Sequence, residues 1–483
     1  MGILVRLRGG GGRPQAILIL GSLRERASRR AVAKPTGYKN AGMTNSTTIF
    51  ALSSGQGRAG VAIIRVSGAA AREAVFALTG KPPGPPRVLQ RCRIKSADGT
   101  IIDDAMVVWF AAPKSFTGEN VAEFHVHGGR AVIAAALAAV DAVPGCAPAD
   151  AGAFTRRAFD NEKLDLTQVE GLADLIDAET EGQRKQAVRQ LEGALGTLYE
   201  SWRVRLVRAL AHLEADIDFP DENLPDDMPD AVCGDLATLA SEMTAHINDG
   251  GIGERTRDGF HAVIVGAPNV GKSSIINRLA RRDAAIVATT AGTTRDVVEV
   301  QLDVAGLPVT LADTAGLHDA GDDVEREGIR RSHARSANAD LKIAVFDATT
   351  WPVRDDATAA LVDDATIIVV NKIDRAPSSN DAGAALFVSA LDGTGIDALV
   401  DALRRRVIAA TESSVAAPPL TRLRHRRAVD ESRSALGRAR TAGETELRAE
   451  DLRLAARALG RITGRVDVED LLDVIFKDFC IGK

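Results

Sequence analysis

Gly266-Ala-Pro-Asn-Val-Gly271-Lys272-Ser273 places two glycines, a lysine and a hydroxyl at the spacing G-x-x-x-x-G-K-[ST]. The glycines let backbone N–H groups close around phosphate oxygens, the lysine ammonium reaches the β- and γ-phosphates, and the hydroxyl ligates Mg²⁺. Asn269, Val270, Gly271, Lys272, Ser273 and Ser274 are therefore assigned to a nucleotide, with Ser273 on Mg²⁺ and Lys272 also catalytic. Three companion motifs follow in order. Thr293-Thr-Arg-Asp296 supplies hydroxyls next to the phosphates, with Thr294 assigned to Mg²⁺. Asp313-Thr314-Ala315-Gly316 brings an acid to the Mg²⁺ shell and a glycine to sense the γ-phosphate. Asn371-Lys372-Ile-Asp374, with Ser389-Ala390 downstream, makes a base pocket. The Asp374 carboxylate can accept from guanine N1–H and N2–H₂, a pair of donors adenine lacks, so the nucleotide is GTP.

Strands must deliver these loops. His261–Val265, Val309–Ala312, Thr366–Val370 and Leu386–Val388 are apolar runs that end where the motifs begin. Strand-like and helix-like runs alternate from Phe260 to about Val407, the pattern of an α/β domain. In Ras-like domains a glutamine after the third motif's glycine orients the attacking water. Here that residue is Leu317, which cannot. The acids Asp319, Asp322, Asp323, Glu325 and Glu327 follow closely, and their types alone do not choose among them.

The flanks differ in kind. From Thr48 to about Phe154 short apolar runs alternate with turns. Val61–Val66 and Ala105–Phe110 read as strands and Ala131–Val140 as a helix, an α+β domain. Apolar residues recur at helical spacing from Leu164 to Ile217, and again at 231–247 and 420–479. The acidic, proline-bearing run Asp218–Pro229 reads as a loop. A helical region interrupted by an α/β domain reads as one helical domain carrying an insertion.

The chain has 483 residues, room for about three domains. Its formal net charge of −5 gives no general signature of polyanion binding, so any RNA contact is local or borrowed from a partner. Cys92, Cys146, Cys233 and Cys480 match no zinc spacing and read as a reducing, cytoplasmic setting. No apolar run reaches the roughly 20 residues that span a bilayer. Residues 1–42 carry seven arginines and one acid and are expected to lie outside the folded unit. They read either as a targeting peptide or, preferably, as an upstream start with Met43 the true one.

Long stretches resemble the MnmE (TrmE) family of tRNA-modification GTPases. They are Gly57-Arg-Ala-Gly60-Val-Ala-Ile-Ile-Arg65-Val-Ser-Gly68, Ser115–Gly129, Phe154–Leu166, the segment Asp313–Ile329 and the terminal Phe479-Cys480-Ile-Gly-Lys483. The resemblance spans nearly all of residues 47–483. It implies a non-native or disordered extension at 1–43, a tetrahydrofolate-binding and dimerisation domain at 44–160, helical segments at 161–257 and 412–483, and an inserted GTPase domain at 258–411. Glu325 is then the residue that positions the water, acting through a second water. K⁺ replaces an arginine finger, held by Asn269, Ala288, Thr290 and Thr293. Alanine at 288 departs from the family's usual threonine but still offers its carbonyl. Thr289 and Thr290 join the nucleotide contacts. Arg65, Glu123, Lys163 and Lys483 are the implied contacts to a 5-formyl- or 5,10-methylene-tetrahydrofolate donor.

The resemblance also implies that Cys480 is needed for the modification rather than for hydrolysis, a catalytic role. The alternatives weighed are a buried structural cysteine and a prenylation box, which Gly482 and Lys483 fit poorly. The implied partners are a second copy of the chain, an MnmG-type FAD/NADH protein and tRNA. The implied activity is K⁺-stimulated GTP hydrolysis that supports addition of a carboxymethylaminomethyl or aminomethyl group to the wobble uridine. A ribosome-assembly GTPase is the main rival, and a lipid-anchored switch a lesser one. His125 and His127 hint at a metal but read more simply as a polar face. Arg422, Arg424, Arg426 and Arg427 read equally as a tRNA contact or a solvated helix face.

Overall fold

The computed structural model describes residues 47–55, 57–218, 228–281, 285–286, 299–313, 339–376, 384–411 and 417–466, together with Leu472, Ile475, Phe476, Phe479, Ile481 and Gly482. These belong to the unit running from Ser46 to Lys483.

The first part is a six-stranded sheet with helices on one face. Its strands are β1 (Thr48–Leu52), β2 (Ala59–Ser67), β3 (Gln90–Lys95), β4 (Ile101–Phe110), β5 (Val121–Gly128) and β6 (Cys146–Pro148). Their order is β3-β4-β5-β2-β1-β6, antiparallel except for β1 beside β6. Strand alternation sends Ile64, Val66, Phe124 and Val126 into a core under α1 (Ala71–Thr79) and α2 (Arg130–Asp141). Arg65, Glu123 and His125, one residue out of step, share the opposite face.

The predicted helical region from Leu164 to Ile217 resolves into separate helices. After α3 (Ala153–Asp160) come α4 (Leu166–Asp177), α5 (Glu181–Leu191) and α6 (Ala194–Asp218). Two capping boxes set the starts. Asp165 and Gln168 close α4, and Thr180 and Gln183 close α5, each side chain satisfying an otherwise orphan N–H of the other. Next are α7 (Met228–Ile247) and α8 (Ile252–Asp258). Most of the expected acidic loop, 219–227, lies outside the described residues, and α7 starts before the loop's predicted end.

The α/β part contains β7 (Phe260–Val265), α9 (Lys272–Ala280), β8 (Ala285–Ile286), β9 (Glu299–Val304), β10 (Leu307–Asp313), β11 (Leu341–Asp347), α10 (Asp356–Ala359), β12 (Ile367–Asn371), β13 (Leu386–Phe387) and α11 (Ile396–Thr411). The strand order is β13-β12-β11-β7-β10-β9-β8. The run from β13 to β10 is parallel, and β9 turns back antiparallel on β10. β7 is central and buried on both faces, which is why it reads as a continuous apolar run. This is the Ras-like arrangement expected from the motifs.

Two more helices, α12 (Leu423–Thr441) and α13 (Thr445–Thr463), complete the helical body. Their Val429, Leu436, Leu452 and Leu459 share one core with Tyr199, Trp202 and Leu206 of α6 and Leu239 and Met243 of α7. Residues on both sides of the α/β part therefore build a single helical domain.

Three of the C-terminal arginines are neither a solvated face nor free for RNA. Arg424 grips Glu170 of α4 with both limbs, Nε to Oε1 at 2.6 Å and Nη2 to Oε2 at 2.7 Å. His425 Nε2 meets Glu170 Oε2 at 2.9 Å. Arg422 donates to Asp174 at 2.7 Å, and Arg426 to Asp249 at 2.9 Å. Only Arg427 of the four is exposed. Burial would raise the Glu170 carboxyl, but the charge of Arg424 and the bonds donated by Arg424 and His425 outweigh it and hold it well below the usual carboxylate range. Burial pushes His425 down to about 4, so at neutral pH its ring is neutral and Nε2–H is the donor.

Glu170→Ala should leave Arg424 without its counter-charge and cost about 3 kcal/mol of stability. Urea denaturation checks this: the midpoint should fall with an unchanged slope. A midpoint equal to the parent's would show that the cluster contributes nothing net.

Candidate functional site

The phosphate-binding loop hangs between β7 and α9. Asn269 (φ +62°) and Gly271 (φ +99°) adopt left-handed backbone there. Gly271 is required twice over, since any Cβ would also collide with Asn371 Nδ2. The turn aims the first N–H groups of α9 at one spot, a ready anion site. Lys272 is buried, and its Nζ donates to the carbonyls of Gly266 at 2.8 Å and Ala267 at 3.0 Å. Its ammonium is thus already held at the loop that would carry the phosphates.

Asn371 ties that loop to the base side. Its Nδ2 donates to Val270 C=O at 2.8 Å, and its Oδ1 accepts the Ala390 N–H at 3.0 Å. One amide thereby sets the spacing between phosphate and base subsites. Ser389 Oγ donates to Asp374 Oδ1 at 2.8 Å and so orients the carboxylate assigned to guanine. Gly271, Ser274, Asn371, Lys372, Asp374 and Ala390 all line one open cavity of about 350 Å³.

Sequence reasoning missed Asp347. At the end of β11, its Oδ2 accepts from Lys372 Nζ at 2.7 Å, while Oδ1 takes the Thr349 N–H at 2.9 Å and hydroxyl at 2.7 Å. Burial would raise this carboxyl, but those bonds and the lysine's charge hold it below its ordinary value. The Lys372 ammonium is therefore tied off, leaving its aliphatic stem to border the cavity. No spacing rule reaches Asp347; adjacency of β11 and β12 brings it there.

Of the other assigned residues, Ala288, Thr289, Thr290, Thr293, Thr294, Thr314, Ala315, Gly316, Glu325, Cys480 and Lys483 lie outside the described residues. For Asp313 only the backbone, at the end of β10, is described.

On the first sheet, Arg65 and Glu123 are cross-strand neighbours, joined through Arg65 Nε and Glu123 Oε1 at 2.9 Å. His125 Nε2 lies 3.4 Å from Glu123 Oε2. Burial would raise the Glu123 carboxyl; the bond from His125 and the charge of Arg65 hold it low instead. The Arg65 guanidinium lies 5.5 Å from the Phe116 ring centroid and 5.7 Å from that of Phe154. Lys163 Nζ donates to Pro113 C=O at 3.1 Å, on the same loop that brings in Phe116. His127 does not converge with His125. It pairs with Asp103, Nδ1 to Oδ1 at 2.8 Å.

The tail returns to this sheet. Phe479 is buried with Leu166, Val169, Leu472 and Phe476. Ile481 bridges Ala151, and Ser53 Oγ donates to Gly482 C=O at 2.7 Å. Gly482 (φ +100°) abuts the Leu52 carbonyl so closely that no side chain fits. Among the described residues, no helix is long and apolar enough to cross a membrane.

Two family models match the chain. The MnmE helical domain covers residues 166–480, and the GTP-binding protein TrmE N-terminus covers 48–163. The tRNA modification GTPase MnmE of Paramagnetospirillum magneticum is 54% identical over 442 residues, 91% of this chain and 100% of that protein. Its counterpart from Parvibaculum lavamentivorans is 55% identical over 441 residues, 90% of this chain and 100% of that one. Among solved structures, Aquifex aeolicus Era bound to GDP and aluminium fluoride overlaps at 24% identity and a TM-score of 0.25, over 36% of this chain and 66% of its own.

Asp374→Asn should shift preference from guanine toward xanthine nucleotides, because the carboxamide offers a donor where guanine also has one. Competition binding of GTP and XTP measures it, and unchanged GTP affinity would contradict the assignment. Asp347→Ala should release Lys372 and raise the GTP KM about fivefold with kcat little changed, a loss of uniform binding. Steady-state kinetics decide this, and an unaltered KM refutes it.

Proposed function

The chain belongs to the MnmE (TrmE) family of tRNA modification GTPases, and on that footing we propose that it uses GTP hydrolysis to drive modification of the tRNA wobble uridine. In this reading it works in the cytoplasm as a homodimer with an MnmG-type flavoprotein. The product is a carboxymethylaminomethyl or aminomethyl group at the uridine 5-position. The observation that carries the reading is 54% identity to a relative covered end to end, together with a base pocket built around Asp374.

The residues divide the work. Asp374, oriented by Ser389, selects guanine, and Lys272 with the first N–H groups of α9 holds the β- and γ-phosphates. Ser273 and Thr294, with Asp313, would hold Mg²⁺, which screens phosphate charge. Asn269, Ala288, Thr290 and Thr293 would hold K⁺ beside the bridging oxygen, where negative charge develops. Asn269 is suited to this because it is exposed on the phosphate loop with its backbone left-handed. Glu325 is assigned to position the attacking water.

A folate one-carbon donor fits the second site. Arg65 spends its charge on Glu123, but a carboxylate has about four acceptor positions, so Glu123 keeps capacity for a pterin's amino edge. Phe116 and Phe154 give the site apolar walls. Lys163 and Lys483 supply cations for a glutamyl tail. Ile481 and Gly482 dock beside the end of β1, and Cys480 is assigned to the modification chemistry.

Reconstitution tests the reading. Full-length protein, the flavoprotein, tRNA, GTP, K⁺ and methylene-tetrahydrofolate should yield modified uridine. Product should be lost when K⁺ is replaced by Na⁺ and in Glu123→Ala. GTP hydrolysis without product in the complete mixture would overturn it and favour the ribosome-assembly rival.

A further inference from the structure

The turn joining β9 to β10 lies against the first turn of α5. The Gly182 N–H donates to Gly306 C=O at 2.8 Å. A Cβ on Gly182 would stand 2.5 Å from that oxygen and 3.0 Å from Leu307 Cδ2. Gly182 occupies the second helical position of α5, where local propensity disfavours glycine. The backbone contact accounts for it. Every other residue type would force the turn away.

The turn itself is rigid. Ala305 (φ +59°) and Gly306 (φ +83°) form a two-residue hairpin loop with both centres left-handed, and Gly306 N–H is pinned to Asp303 Oδ1 at 2.7 Å. Pairing runs unbroken from Leu307 opposite Val304 to Ala312 opposite Glu299. The ribbon's far end is Glu299, three residues after Asp296, and Asp313, which opens the third nucleotide motif. At about 3.3 Å per residue, a lever of roughly 20 Å links those motifs to α5.

The same helix holds the chain where it crosses into the α/β domain. Gln183 Nε2 donates to Arg257 C=O at 2.9 Å and Gln186 Nε2 to Gly253 C=O at 2.8 Å. Gly253 in turn packs against the Leu420 carbonyl of the returning chain. One face of α5 thus touches the ribbon and the crossing together.

We propose that Gly182 is a positioning residue for GTP hydrolysis: it keeps the β9–β10 ribbon in register with the helical domain, so that the state of the nucleotide at one end of the ribbon is felt by α5 at the other. The inference needs only the GTPase activity and is independent of the tRNA chemistry.

Hydrogen–deuterium exchange on the full-length protein tests it, comparing the nucleotide-free, GDP and GDP–aluminium fluoride states with K⁺ present. Exchange across 181–186 and 303–307 should change together, by about fivefold or more between states. Gly182→Ala favours the helix, so the fold should survive. It should abolish the nucleotide response of α5 and lower kcat at least about threefold with the GTP KM unchanged. Gly437→Ala is the control, since a Cβ there meets nothing within 4 Å; it should match the parent. Gln186→Ala, which leaves the turn intact and frees the crossing, should weaken the response in the same direction. Exchange in α5 that ignores the nucleotide in the parent, or a Gly182→Ala protein with the parent's response and kcat, overturns the proposal.

Discussion

The carboxylate of Glu170 ties together the two stretches of helical domain that flank the α/β domain. It sits on α4, before the chain leaves the helical body, and is gripped by Arg424 and His425 of α12, after the chain has returned. About 250 residues separate the partners, with the whole α/β domain between them. A buried charge without partners is costly, so this cluster permits few other arrangements of the two flanks. Asp249 extends the constraint to the crossing itself. It accepts from Gly251 N–H, from Leu420 N–H and from Arg426, locking the outgoing chain to the returning one.

With the flanks fixed, α5 presents its first turn to the β9–β10 ribbon, and the nucleotide loops are set within the α/β domain by a separate device. That device is Asn371, whose amide joins the phosphate loop to the Ala390 turn. The molecule thus has two frames, one local to the nucleotide and one holding the domain that carries it. The ribbon belongs to both. The site on the first sheet is built differently, from neighbours on paired strands. Its Arg65–Glu123 pair exists because antiparallel register sets those residues side by side.

Much of this could be read from residue order. The phosphate loop, the strands that feed it and the insertion of an α/β domain into a helical one follow from glycine spacing and hydrophobic period, because those features are local. Arg65 and Glu123 were legible only through resemblance. The basic run Arg422–Arg427 misled, because charge pattern cannot tell a solvated arginine from one whose acid lies about 250 residues away. Asp347 and Gly182 were invisible for a related reason. Each acts through a partner supplied by strand adjacency or by domain packing, and neither leaves a periodic trace. The assignments to Glu325, Cys480, Lys483 and the switch threonines fall on segments outside the described residues and stand as proposals, those to Thr293 and Thr294 from motif spacing and the rest from resemblance.

If GTP turnover in this domain serves a change in tRNA, that change must appear in the tRNA's nucleosides. The measurement is nucleoside mass spectrometry of tRNA from a bacterium lacking its own MnmE, complemented with this chain. The wobble modification should return with the parent chain and stay absent with Gly271→Ala, whose Cβ would collide with Asn371. If the parent chain is folded, hydrolyses GTP and binds the host's flavoprotein, yet the wobble uridine stays unmodified, the claim is contradicted.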